Sequence, residues 1–198
     1  MPTRLFSVTL LRIMIFAISA ITLSLPVDAQ FAPKAEFALE YNYVHSNAPP
    51  DECGCFSMFG GSASAAIALH RGFAIVAEFS GVHATDIAPT SRDLTLTTYL
   101  FGPRYTYHAG RRLTPFGETL VGLSHASGTL APSNLLSNAS SNSFAAAIGG
   151  GLNYNIGRAV SIRIVQADYL LTTFANHADN HQNNLRLGAG IVFRFGRD

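Results

Sequence analysis

Apolar and polar residues alternate along most of the chain from residue 35 onward. The run near the end shows this most clearly, because Leu185, Leu187 and Ile191 alternate with glycine, arginine and asparagine. A period of two predicts β-strands, and here it divides the chain into eight strands, each long enough to cross a membrane at a tilt. The predicted strands are 35–45, 58–70, 73–83, 93–107, 114–125, 142–156, 159–171 and 184–195.

The connections between the predicted strands alternate in length. The short ones are 71–72, 108–112 and 157–158, and the long, polar ones are 46–57, 84–92, 126–141 and 172–183. A barrel with this order has its long loops at one end and its short turns and both termini at the other, as outer-membrane barrels do. The sequence therefore predicts an all-β fold: an eight-stranded antiparallel up-and-down transmembrane β-barrel.

The two faces of the predicted strands differ in composition. One face combines charged side chains with small residues, and the other is rich in phenylalanine, tyrosine and leucine and carries scarcely a charge. The first suits the narrow lumen of an eight-stranded barrel, and the second suits contact with lipid. We expect the charged residues to form an ion-pair network in the lumen, in preference to an ion pathway or an acid–base site. They are Glu40, Glu78, Arg104, Glu118, Arg163, Arg186 and Arg194.

Two of the predicted strands depart from strict alternation. Phe116 has the same parity as the charged Glu118, and Ile164 has the same parity as Gln166 and Asp168. A β-bulge or a position at the rim of the barrel would reconcile these side chains with the predicted faces.

Residues 1–29 have the features of a cleaved signal peptide. Arg4 and Arg12 precede an apolar run that ends at Leu25, and Ala29 completes a small-residue cleavage site. The apolar run is too short to span a bilayer as a helix, which favours cleavage before Gln30 over an uncleaved anchor. We expect residues 30–198 to form a single barrel domain in the cell outer membrane, with no second domain after it.

Charge and composition exclude some classes of function. The net charge is +1 and only 13% of the residues are charged, so the chain lacks the basic surface that nucleic-acid binding requires. No apolar stretch after Leu25 is long enough for a transmembrane helix. The sequence indicates no cofactor and no metal site.

Five segments of the predicted strands carry a family resemblance: Tyr99 to Tyr105, Pro115 to Glu118, Ala147 to Tyr154, Arg163 to Tyr169 and Arg186 to Phe195. They resemble the small outer-membrane barrels of the OmpA-like and opacity-protein-like superfamily. The resemblance implies recognition of the last strand, with Phe193 and Phe195, by the barrel assembly machinery, and an environment of outer-membrane lipid and lipopolysaccharide. It does not imply a tether to the cell wall, because the peptidoglycan-binding domain of many OmpA-like proteins has no counterpart here.

Cys53 and Cys55 are the only cysteines, and both lie in the first long connection. A disulfide between them would close a very small ring with strained geometry. A local disulfide, intermolecular pairing and free thiols are the alternatives, and a metal site would need further ligands beyond His45.

His125 and Ser127 resemble the His-x-Ser pair of lipid A deacylases, which are also eight-stranded barrels. Two residues apart on one strand face, an imidazole can reach a hydroxyl and activate it. The family's acidic third member has no match, because no acid lies between Glu118 and Asp168. We therefore favour an interfacial histidine beside a loop serine, and predict that the protein is not an enzyme.

The leading functional hypothesis is a structural or surface-interaction protein whose barrel supports four long external loops. The alternative is a narrow pore for ions or small solutes. Bulky arginines in an eight-stranded lumen argue for a filled interior and against the pore.

Overall fold

A computed structural model of the protein describes residues 35–46, 56–87, 92–107, 112–128, 139–174 and 181–196. The predicted signal peptide, 1–29, and both cysteines lie outside these residues. In the part described, eight strands follow one another: β1 (Ala35–Ser46), β2 (Phe56–His70), β3 (Phe73–Ile87), β4 (Arg92–Thr106), β5 (Leu113–Gly128), β6 (Ala139–Asn155), β7 (Val160–Thr172) and β8 (Gln182–Phe195).

The strands form one closed barrel in which each strand pairs with its neighbours in sequence and β8 returns to β1. All eight pairings are antiparallel. Closure leaves no strand edge with unpaired backbone groups. The predicted fold class is thus confirmed. No helix in the described ranges is long and apolar enough to cross a membrane.

The strand boundaries differ from the prediction mainly at one end of the barrel, which we call the loop end because the four long connections lie there. β3 continues to Ile87, β5 to Gly128, and β6 already begins at Ala139. Apart from Ile87, these extensions consist of Ala, Ser, Thr, Gly and Asp, which interrupt the apolar alternation. Backbone pairing with the neighbouring strand continues where the side-chain pattern has stopped.

The opposite end, which we call the turn end, has tight connections. Between β2 and β3, Arg71 and Gly72 have φ angles of 46° and 88°. Two successive positive φ values define the type I′ turn, whose twist matches that of the strands it joins. Glycine adopts this conformation without strain, whereas arginine does not.

β7 contains a β-bulge. Arg163 and Val165 pair with consecutive residues of β6, whereas Arg163 and Gln166 pair with β8 residues only two positions apart. As a result Ile164 and Val165 both point outward, and Arg163 and Gln166 both point into the lumen. The bulge is the irregularity that the parity conflict in this strand required.

Phe116, the other residue in conflict with the alternation, faces the lumen with Glu118 and is buried. The outward face is otherwise as predicted and carries large apolar side chains on every strand. Aromatic pairs join neighbouring strands on this face, among them Phe73 with Tyr105 and Phe79 with Tyr99.

Candidate functional site

The lumen holds most of the charged residues that the sequence singled out, and Arg163 is the most deeply buried of them. Its Nη1 donates to Glu40 Oε1 at 2.5 Å and to Gln166 Oε1 at 2.6 Å, and its Nε donates to Asn153 Oδ1 at 3.1 Å. The β-bulge in β7 makes this possible, because it turns the side chains of Arg163 and Gln166 to the same side. Each of these acceptors stabilises a charge that would be costly alone in the lumen.

Arg186 is the second centre of the network. Its Nη2 lies 2.7 Å from Asp168 Oδ2, and its Nη1 donates to Glu78 Oε1. Gln166 connects this group to the rest of the lumen, because its Nε2 donates to Asp168 Oδ2 at 2.8 Å and to Glu118 Oε1 at 2.9 Å. The ion pairs of Arg163 and Arg186 are therefore parts of one hydrogen-bonded network.

Arg104 completes the network through Glu118, whose Oε2 accepts from its Nε at 2.7 Å. The ring of Phe116 lies beneath two guanidinium groups, with its centroid 4.6 Å from Cζ of Arg104 and 4.5 Å from Cζ of Arg163. Each arginine thus gains a cation–π contact in addition to its carboxylate.

Arg194 lies at the edge of the network, near the turn end, and is a quarter exposed. Its Nε is 3.4 Å from Glu36 Oε1, and Glu36 Oε2 lies 3.9 Å from Arg104 Nη1, so Glu36 joins the two arginines. Sequence reasoning missed Asn153, Gln166 and Phe116, which are neutral and carry no charge signal. Asn153 and Phe116 have the parity of their lumen-facing neighbours, whereas the β-bulge gives Gln166 the parity opposite to that of Arg163.

Glycine residues of β8 make room for the acids. A Cβ added to Gly188 would lie 2.6 Å from Asn42 Oδ1 and 2.9 Å from Glu40 Oε2. Any larger residue at this position would displace the carboxylate that pairs with Arg163. The small residues on the lumen face are therefore part of the network's geometry.

Toward the loop end the lumen also holds buried apolar side chains, beside buried serine, threonine and asparagine side chains such as Ser46 and Asn184. Val44, Met58 and Leu96 belong to one buried cluster in which each is at most 4% exposed. The alternation did not predict this cluster, because it described the lumen face as charged and small. Other members of the cluster in the loop-end half are Val82, Ala84, Ile87, Leu100, Ala126, Ala145, Leu170 and Phe174.

Phe174 closes the loop end of this cluster. It follows β7, in a stretch that the sequence assigned to a loop, yet it is only 6% exposed. Gln182, at the start of β8, holds it with two hydrogen bonds: Phe174 N donates to Gln182 Oε1 at 3.0 Å, and Gln182 Nε2 donates to Phe174 O at 3.0 Å. Ion pairs and apolar side chains thus both contribute to the filling of the lumen.

His125 and Ser127 lie on the outward face near the loop end of β5, so the prediction that Ser127 belongs to a loop is wrong. His125 Nδ1 lies 2.7 Å from Asn142 Oδ1 on β6, directly across the strand pair. In the described residues no hydrogen bond joins His125 to Ser127. A third group is therefore present next to the imidazole, but it is an amide and has no charge to stabilise an imidazolium.

The contact of His125 is one of a set that recurs around the loop end. On β3, His83 Nδ1 lies 2.8 Å from Thr95 Oγ1 of β4, and on β1, His45 Nδ1 lies 3.4 Å from Ser57 Oγ of β2. In each case the two residues are direct partners in an antiparallel register. Repetition at three strand pairs indicates a structural role for these histidines and argues against a special chemistry at His125.

In the last strand, Phe193 is half-buried and Phe195 is exposed on the outward face at the turn end. Cys53 and Cys55 lie outside the described residues, so their pairing stays a prediction. Within the described ranges no group of three or more His, Cys, Asp or Glu side chains is arranged to hold a metal ion.

Comparison with protein families gives one match, in which the sequence model of the outer membrane protein beta-barrel domain covers residues 10–193. Comparison with curated proteins finds no match.

Among solved structures, Neisserial surface protein A has a TM-score of 0.60 and 18% identity, over 80% of this chain and 97% of that one. Ail, the attachment invasion locus protein of Yersinia pestis, in complex with the heparin analogue sucrose octasulfate, has a TM-score of 0.52 and 16% identity, over 82% and 99%. A major outer membrane protein of Thermus thermophilus has a TM-score of 0.50 and 13% identity, over 81% and 99%. At these identities the likeness concerns the fold alone.

Proposed function

We propose, since the chain belongs to the outer membrane protein β-barrel family, that it serves as a sealed barrel in the bacterial outer membrane and acts through the surface it presents at the loop end. The observation that carries this proposal is the double filling of the lumen. The ionic network around Arg163 and Arg186 and the apolar cluster that includes Phe174 both occupy the lumen, which supports a filled barrel. The narrow pore is the weaker alternative for the same reason.

The proposal includes export and assembly. Cleavage before Gln30 would leave β1 near the new N-terminus, and the assembly machinery would recognise the aromatic residues of β8, including Phe195. Replacement of Phe195 by serine should lower the yield of folded barrel in the outer membrane and leave refolding in detergent intact.

The chemistry of the loop end indicates the kind of partner. The long connections and the strand ends beside them contain five carboxylates and a single arginine, Arg92. Ail is described in complex with a polyanion. An acidic loop end makes a sulfated polysaccharide a poor ligand for this chain, and favours basic or neutral partners. The five acids are Asp51, Glu52, Asp86, Asp93 and Asp179.

An epitope inserted in the uncharged segment 129–138 tests the surface role. We expect antibody to label intact cells, and cells that display the protein to retain a basic probe such as polylysine at low salt and release it at high salt. The variant with all five acids replaced by their amides should keep the antibody signal and lose the probe. Labelling only after the outer membrane is permeabilised would contradict the proposal.

A further inference from the structure

The turn end of the barrel carries an exposed arginine in each of its three short connections. Arg71 lies between β2 and β3, Arg112 directly before β5, and Arg158 between β6 and β7. The only acid described near this end, Glu36, is paired with Arg194. Among the described residues, the three guanidinium groups therefore form a ring of positive charge in which no arginine is paired with an acid. We call Arg71, Arg112 and Arg158 the arginine ring.

The arginine ring lies at the boundary of the apolar belt. Arg71 is two residues from Phe73, Arg112 is next to Leu113, and Arg158 is two residues from Ile156. Phe73, Leu113 and Ile156 are all large outward side chains, between 46% and 62% exposed. Because lipid chains cover this belt in a membrane, the guanidinium groups reach the level of the lipid headgroups just beyond it.

The backbone conformation at Arg71 also indicates a role for the charge of this residue. A type I′ turn favours asparagine, aspartate or glycine at this position, and a residue with a Cβ at φ 46° is strained. Asparagine would form the turn more easily, so the turn alone does not account for arginine. The positive charge of Arg71 would account for the choice of arginine if this position faces an anionic surface.

We propose that the arginine ring binds the phosphate groups of anionic phospholipids in the leaflet that the turns face. The positive charge of the arginine ring is complementary to phosphate. The ring also lies at the edge of the lipid-covered belt, so the headgroups of the same lipids are its nearest partners. The barrel is therefore electrically polar along its axis, with its positive end at the turns.

Lipid selectivity measured by electron spin resonance tests the proposal. The full chain is refolded in phosphatidylcholine vesicles that contain spin-labelled phosphatidylglycerol or spin-labelled phosphatidylcholine, and the fraction of label immobilised at the barrel is compared. A lipid held by one arginine should be favoured about fivefold, the factor equivalent to about 1 kcal/mol per charge near an anionic surface. The preference should disappear at high salt.

Two triple variants separate charge from structure. Arg71→Gln/Arg112→Gln/Arg158→Gln should bring the two lipids close to equal association, and Arg71→Lys/Arg112→Lys/Arg158→Lys should keep the preference. Gel mobility before and after boiling checks that each variant folds. Equal association of both lipids with the wild type, or an unchanged preference in the glutamine variant, would refute the proposal. Arginine-dependent sedimentation with peptidoglycan in the absence of lipid selectivity would refute it in favour of a cell-wall partner.

Discussion

Arg163 is fully buried in the lumen and holds three acceptors and the ring of Phe116. Replacement by methionine would leave Glu40 in the lumen without its principal partner. Removal of one member of a buried ion pair costs about 3–5 kcal/mol. We expect Arg163→Met to lower the free energy of unfolding by this amount, measured by urea titration of the folded barrel in vesicles.

Two companion variants test the cause of this loss. The double variant Glu40→Gln/Arg163→Met removes the uncompensated charge and should recover a large part of the stability. Arg158→Met, in an exposed turn, should change stability by no more than about 0.5 kcal/mol in phosphatidylcholine vesicles, which offer the arginine ring no anionic headgroups. Equal losses for Arg158→Met and Arg163→Met would show that the ionic network does not govern stability.

Ser127 has the position of a nucleophile but not its contacts. His125 is engaged with Asn142, and no charged group among the described residues orients it. We expect lipid A from cells that express the wild type to keep all its acyl chains, and the Ser127→Ala variant to give the same mass spectrum. Loss of one ester-linked chain with the wild type and not with Ser127→Ala would overturn the prediction that the protein is not an enzyme.

At the scale of the strand, the β-bulge in β7 allows a deletion test. Ile164 and Val165 both face outward, so deletion of Val165 leaves the residues on either side with their orientations unchanged. Deletion of Ala167, by contrast, reverses the faces on one side of the cut and sends either Gln166 or Asp168 toward lipid. The first variant should keep the heat-sensitive gel mobility of a folded barrel, and the second should lose it. Folding of both, or of neither, would show that the register is not fixed by these faces.

The sequence predicted strands better than it predicted their ends and irregularities. Alternation located all eight strands because each has one face in lipid and one in the lumen. It did not locate the bulge, because a bulge depends on the register with β6 and β8, and this register cannot be read from the sequence of β7 alone. It also assigned Phe174 to a loop, because the two hydrogen bonds that hold this residue come from Gln182, on the other side of the hairpin.

At the scale of the whole barrel, the charged residues of the lumen face were predictable, whereas the apolar cluster that shares the lumen with them was not. Glu40, Glu78 and Arg163 stand out among small neighbours, and the charge of each requires a partner. Val44, Met58 and Leu96 share that parity but have no such requirement. Their place above the ionic network follows from the stagger of the strands, which brings together residues from distant parts of the chain.

The filling of the lumen leads to a prediction about permeation. An ion that enters from the turn end meets carboxylates and guanidinium groups that are paired with one another, and one that enters from the loop end meets Phe174 and the apolar cluster. Passage would require both the ionic network and the apolar cluster to open in the same molecule. We expect planar-bilayer recordings of the purified barrel to show no steady conductance steps, and the variant Phe174→Ser to remain closed because the ionic network is intact. Reproducible steps of constant size from the wild type would contradict the sealed barrel and favour the pore.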